Sequence, residues 1–159
     1  MIVYKIAGAL ILSLSGICCA VCLNRNVERR PREAAGWIAL LRFCKVQVEC
    51  FSLPMGEILA RSDPEVLSAC GYEGGLPPGS FEELLAASRL YDSEVERIAR
   101  GFCEEFGRGY REEQMRGCEY YLSELEEHRR MLVGKLPAQK KMNTTLSVCA
   151  ALAVVLLLV

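Results

Sequence analysis

The chain has 159 residues and a net charge of −1, a length suited to one domain and a balance that excludes a nucleic-acid surface built on excess basic charge. Residues Asn24–Lys141 hold 18 basic and 20 acidic side chains, and apolar residues recur among them, which excludes a disordered acidic tail. The two ends differ sharply from this middle: Ile6–Leu23 and Met142–Val159 carry no charged side chain.

Each apolar run is 18 residues long. As a helix it would extend roughly 27 Å, close to a hydrocarbon core about 30 Å thick. The first run can reach back to Ile2 if Lys5 snorkels to the headgroups. No small-x-small cleavage site precedes the arginines that follow it, so the expectation is an anchor that stays rather than a signal peptide that is removed. Arg25, Arg29, Arg30 and Arg32 follow the first run, and Lys135, Lys140 and Lys141 precede the second. The positive-inside rule then places residues 25–141 in the cytoplasm and both termini on the other side. The expected partition is 1–24 as N-terminal anchor, 25–141 as helical domain and 142–159 as C-terminal transmembrane helix.

Within the middle, Pro31 suits the first turn of a helix, where a missing N–H is harmless. Ala34, Ile38, Leu41, Cys44, Val48 and Phe51 then recur at steps of three and four, widened by Trp37 and Leu40. Ser52-Leu53-Pro54 ends this helix, because proline disfavours helix in the residue before it. A short helix follows with Met55, Ile58 and Leu59 inward. Asp63-Pro64-Glu65 reads as a cap, a first-turn proline and a first-turn acid, opening a second short helix through Ala69. Gly71–Gly79 is a loop, rich in glycine and proline. Ser80 with Glu83 forms a capping-box signature, repeated by Ser93 with Glu96. Val95, Ile98, Phe102 and Phe106 form the next stripe, and Gly107-Arg108-Gly109 supplies its C-cap. The last helix of the middle should run from about Tyr110 to Val133, with a seam of Met115, Cys118, Leu122, Leu125 and Leu132 and with Arg129 at the missing place. The fold class expected is all-α: a soluble bundle of about five to six helices between an N-terminal and a C-terminal transmembrane helix.

No catalytic constellation stands out. There is no phosphate-binding GxxxxGK[ST], no GxSxG elbow and no HExxH. Adjacent carboxylates such as Glu104-Glu105 and Glu112-Glu113 point about 100° apart on a helix and do not converge on one atom. His128, the single histidine, sits among charged residues and reads as exposed. Of nine cysteines, four fall in the apolar runs, and Cys44, Cys50, Cys70, Cys103 and Cys118 are scattered singly, without zinc-type spacing. They read as structural thiols, and no metal, cofactor or small-molecule substrate is expected.

Three segments, in order, resemble stage III sporulation protein AB of endospore-forming bacteria. The first is the opening apolar run, then Asn24–Arg32, then a helix closing on Glu49-Cys50-Phe51-Ser52-Leu53-Pro54-Met55-Gly56-Glu57-Ile58-Leu59. The second is Phe106-Gly107-Arg108-Gly109-Tyr110-Arg111-Glu112-Glu113-Gln114. The third is Gly134 through Met142 with the run to the C-terminus, where Asn143 replaces the tyrosine common in that family. The resemblance covers nearly the whole chain. It implies a non-enzymatic platform or adaptor in the mother-cell membrane around the forespore. There it would be part of a secretion-like channel complex active during engulfment, with a helical domain similar to that of type II secretion and type IV pilus platforms. The implied partners are the lipid bilayer, other stage III proteins and the complex's cytoplasmic ATPase. The alternative class is a small membrane-bound enzyme or thiol redox protein using its cysteines. The expected partner surface is Gly107, Arg108, Arg111, Glu112 and Gln114, a turn between two regular helices, since loops on rigid scaffolds often carry binding. A competing local reading has Gly107 capping a helix and Gln114 satisfying a nearby backbone group.

Overall fold

The computed structural model describes residues 2–50 and 55–158. Among the described residues there are six helices and no strand: α1 (Ile2–Cys50), α2 (Met55–Ala60), α3 (Pro64–Ala69), α4 (Phe81–Ala86), α5 (Ser93–Glu105) and α6 (Arg111–Leu158). Tyr72 and Ser88 form one isolated antiparallel bridge, which ties the turn after α3 to the end of α4. The chain divides into two compact units, Arg30–Leu132 and the paired ends Met1–Arg29 with Val133–Val159.

The unit Arg30–Leu132 is a helical bundle, as expected. Its core is the stripe read from the sequence of α1, with Ala34, Trp37, Ile38, Leu40, Leu41, Cys44 and Val48 all buried. Val95, Ile98, Ala99 and Phe102 come from α5, and Leu67, Phe81 and Leu84 from the short helices. Phe51 and the stop at residues 52–54 lie outside the described residues, as does the side chain of Met55; Ile58 and Leu59 are buried. The aromatic heart is Phe81, Phe102 and Phe106, with centroids 4.8–5.5 Å apart, extended by Tyr121 at 5.9 Å from Phe102. Three of these contacts are edge-to-face, the arrangement that ring quadrupoles favour.

α1 lies antiparallel to α6 in this unit. Arg42 Nη2 reaches Glu126 at 2.6 Å and Lys45 Nζ reaches Glu119 at 2.8 Å, while Arg111 bonds the carbonyl of Glu49. The exposed ion pairs fix register more than they stabilise. Register also depends on Gly36. A Cβ there would fall 2.5 Å from the carbonyl carbon of Ala69 and 2.7 Å from the nitrogen of Cys70, so the end of α3 approaches α1 where α1 has no side chain.

The caps settle where the short elements begin. Asp63 caps α3, accepting the N–H of Glu65 at 2.8 Å, with Pro64 in the first turn. Ser80 caps α4 through the N–H of Glu83 at 3.1 Å, but Glu83 returns its bond to Gly79 N–H at 2.7 Å rather than to Ser80. The cap of α5 is Asp92, not Ser93: a carboxylate oxygen one residue earlier takes the N–H groups of Glu94 and Val95. Pro31 does not open a helix. It lies inside the continuous α1, and Pro137 likewise lies inside α6, each leaving the carbonyl four residues earlier without its helical donor.

In the unit of the paired ends, the helices again run antiparallel. Asn24 Nδ2 donates to Thr144 Oγ1 at 3.3 Å, Asn143 Nδ2 donates to Asn24 Oδ1 at 3.4 Å, and Lys140 pairs with Glu28. A Cβ on Gly16 would meet the Ala151 methyl at 2.8 Å, so the two backbones approach closely there. Taken over the described residues, no helix is long and apolar enough to cross a membrane. Both apolar runs of the sequence include residues whose side chains lie outside the described set, among them Ile6 and Val159.

Candidate functional site

The turn between α5 and α6 is built by local chemistry. α5 ends at Glu105, and Phe106 follows in extended conformation with φ −64° and ψ 132°. Gly107 then takes φ 87°, a left-handed value that glycine adopts freely and a β-carbon resists. The N–H of Arg108 donates to Glu105 O at 3.3 Å. Tyr110 directly precedes α6; its carbonyl receives the N–H groups of Glu113 and Gln114 at 3.0 Å, while Glu113 Oε2 takes the N–H of Tyr110 at 3.0 Å. Gln114 Nε2 donates to Gly109 O at 2.8 Å.

These contacts sort the five residues expected to bind a partner. Gly107 shapes the turn and Gln114 closes it on itself. Arg111 is spent on the Glu49 carbonyl, holding the head of α6 to the end of α1. Arg108 and Glu112 are exposed and form no ion pair among the described residues. Next to them Tyr110 is 85 % exposed. Sequence reasoning passed over Tyr110, although an aromatic ring between a glycine turn and a run of charges was the available signal.

A second polar cluster was not anticipated. His128 is not exposed: its side chain keeps only 15 % of its surface, and its Nε2 lies 2.9 Å from Asp92 Oδ1. The carboxylate of Glu33 on α1 receives the N–H of Tyr91 at 3.0 and 3.2 Å and also that of Asp92. Burial, helped by Asp92, pushes the Glu33 carboxyl up, against the lowering effect of those N–H groups and of Arg30. Asp92 also suffers desolvation, but the N–H of Val95 and the contact with His128 outweigh it and hold its carboxyl below the ordinary range. Three elements, α1, the head of α5 and α6, therefore meet through two carboxylates and one imidazole. Glu33 and Asp92 accept backbone N–H groups and Asp92 also meets His128 Nε2, so the cluster reads as a fastening.

Four of the five thiols of this unit are poorly placed for chemistry, and the fifth, Cys50, is exposed. Cys44, Cys70 and Cys118 are buried and Cys103 is half-buried. Burial pushes Cys44 and Cys70 far up, Cys103 up to about 12 and Cys118 up to about 11. A thiolate is the reactive form, and these environments suppress it. Among the described residues no group of three or more His, Cys, Asp or Glu side chains is arranged to hold a metal ion. Compared with known proteins, the chain matches no family model, and neither curated proteins nor solved structures give a significant match.

Proposed function

We propose that the chain is a non-enzymatic membrane platform of a sporulation-specific, secretion-like channel complex between mother cell and forespore. Its helical unit would lie in the cytoplasm and dock the complex's ATPase at the α5–α6 turn. The observation that carries this reading is a division of labour. The helices that build the packed unit Arg30–Leu132, α1 and α6, are the same ones that carry the two uncharged runs of the sequence. An adaptor needs a rigid body, an attachment to the bilayer and an exposed docking face. The order of the three family-like segments supplies the sporulation context. Uncharged runs of 18 residues, roughly 27 Å as helix, approach the thickness of the hydrocarbon core, and the seven basic residues on their inner flanks favour a cytoplasmic middle.

The rival thiol-redox reading draws no support from Cys44, Cys70, Cys103 and Cys118, whose burial favours the protonated, inert form; Cys50 is exposed and is the thiol of this unit on which it would rest. Co-purification decides between the two. Tagged full-length chain extracted in detergent from sporulating cells should retain the ATPase, and replacing Cys44, Cys50, Cys70, Cys103 and Cys118 by serine or alanine should leave both retention and sporulation intact. The docking face is tested by Arg108→Glu with Glu112→Lys, since both side chains are exposed and neither supports the fold. Like-charge contacts at an interface are costly, so retention should fall while melting stays unchanged. Retention equal to wild type would remove the turn as the docking face.

A further inference from the structure

Beside the turn, between the end of α5 and the first turns of α6, lies a cavity of about 320 Å³. Its floor is apolar and belongs to the core: Phe102, Phe106, Cys118 and the ring of Tyr121, all buried. One wall is Gly117, where an added Cβ would meet nothing within 4 Å. The rim is charged and one-sided, with Glu104, Glu105 and Glu113 set against the single guanidinium of Arg108. Among the described residues none of these four forms an ion pair. Glu113 is held by the N–H of Tyr110, and Glu105 by the hydroxyl of Tyr121, so two of the three carboxylates are fixed before any partner arrives.

Ligand cavities usually run from about 300 to 1,000 Å³. This one is at the small end and suits one anchoring side chain. Interfaces concentrate their affinity in such places, where an aromatic or long aliphatic group fills a desolvated pocket. The acidic rim selects what stands next to that group, because complementary charge steers encounter and rejects acidic partners.

We propose that this cavity is the anchor pocket of the docking face, receiving one apolar side chain from a partner segment that carries an arginine or lysine beside it. The inference rests on the reading of the turn as a docking face, and adds the chemistry of the partner.

The test uses the ¹⁵N-labelled full chain in zwitterionic micelles and three blocked pentapeptides. One has phenylalanine between two arginines, one has phenylalanine between two glutamates, and one has alanine between two arginines. The first should shift the amides of Gly109 and Gly117 saturably, and the other two should bind about tenfold more weakly or not at all, the loss of one anchor or of its charge partner. Gly117→Leu fills the pocket from its open wall and should abolish the shifts. Glu104→Lys removes rim charge without touching the core and should weaken binding if the leucine variant does not fold. Equal binding of the glutamate or alanine peptide, undiminished binding in these variants, or shifts that follow protein concentration with no peptide present would each overturn the pocket. Retention of the ATPase by a folded Gly117→Leu chain would overturn it while leaving the platform reading standing. Saturable peptide binding by a chain that never retains the ATPase would do the reverse.

Discussion

His128 Nε2 stands 2.9 Å from Asp92 Oδ1, and that same oxygen accepts the N–H groups of Glu94 and Val95 at 3.1 Å. One atom thus caps α5 and ties it to α6. Losing a cap of this kind costs about 1–2 kcal/mol. Asp92→Ala should lower the melting temperature most, because cap and imidazole contact both go. Asp92→Asn keeps a capping oxygen and loses only the charge facing His128, so it should fall between alanine and wild type. Thermal melts of the three chains by circular dichroism check the order; an asparagine variant as unstable as the alanine one would show that the cap bonds do not matter.

Glu33 and Asp92 act on stability with opposite sign. The Asp92 carboxyl is held below its ordinary value of 3.8, so its contribution is complete above that pH and fades as the pH falls through the lower folded value. The Glu33 carboxyl is raised above its ordinary 4.5, so its contribution is present below 4.5 and is lost as the pH rises through the higher folded value. Ionised Glu33 therefore works against the fold at neutral pH, while its oxygens still serve two backbone donors. Glu33→Gln should stabilise the chain at pH 7 and change little at pH 4, where wild type is also largely uncharged at this position. Glu33→Leu removes the acceptors and should destabilise at both. Denaturant melts at the two pH values decide it; an equal gain from glutamine at pH 4 and pH 7 would sink the argument.

Two glycines in helices should respond to alanine with opposite signs. Glycine in a helix interior is ordinarily worse than alanine by roughly 0.5–1 kcal/mol. At Gly117 the new methyl meets open space, so Gly117→Ala should gain about that amount. At Gly36 the methyl would press on the backbone of Ala69 and Cys70, which cannot rotate aside. Overpacking of this sort costs typically about 1–3 kcal/mol, more than the helix gains. Melts of the two single variants should move in opposite directions, and a stabilised Gly36→Ala would mean that α3 does not sit against α1 as described.

The sequence pattern carried the stripes of α1 and α5 because their buried positions are apolar and the period alone finds them. It found part of the seam of α6: Cys118 and Leu125 are buried, and Met115 and Leu122 pack half-buried against the core. Reading leucines first selected Leu122 and left Arg129 at an awkward gap. The pattern missed Tyr121, which is buried, and the largely buried His128, which widen the seam on the side of Cys118 and Leu125. Tyr121 and His128 enter it because each finds a polar partner, Glu105 and Asp92, from another part of the chain. Such long-range pairing leaves no trace in a local period. The same reason hid the role of Arg111, whose acceptor is 62 residues away. At the turn, Gly107 and Gln114 were legible as local structure because their contacts are local. Pro31 misled because proline was read as a boundary, whereas α1 carries it without ending.

The cysteines give a labelling pattern that tests both packing and placement in the bilayer. Cys50 is exposed, so a charged maleimide should modify it at once. Cys44, Cys70 and Cys118 should react only after unfolding, since they are buried and their thiols are raised. Cys18, Cys19, Cys22 and Cys149 are exposed on the surfaces of α1 and α6. If those surfaces face hydrocarbon, a charged reagent cannot reach them, and they should label in organic solvent but not in liposomes. Mass spectrometry of labelled peptides resolves each site. Rapid modification of Cys18 and Cys149 in liposomes would remove the membrane anchors.

The paired ends make a final prediction about how the two apolar runs associate. Asn143 and Thr144 on α6 each bond Asn24 on α1, and Gly16 lets the two helices close on Ala151. In a bilayer, hydrophobic burial no longer drives helices together, and small residues with interhelical hydrogen bonds take over that role. Each such bond contributes about 0.6 kcal/mol on average, up to roughly 1–2. On the membrane reading proposed above, the runs should therefore pair antiparallel within a single chain. On a background with the native cysteines replaced, Asn24→Cys with Thr144→Cys should be joined by a short bis-maleimide, and the product should be intramolecular. Gly16→Leu, placed away from the linked pair, drives a branched side chain into the Ala151 methyl and the Ser147 carbonyl, and should cut that yield several-fold. On this background Asn24 is already replaced, so Asn143→Leu removes no remaining interhelical bond and should leave the yield unchanged while the close approach at Gly16 persists. A cross-link that forms mainly between chains, or a yield indifferent to Gly16→Leu, would show that the two ends do not pair within one molecule.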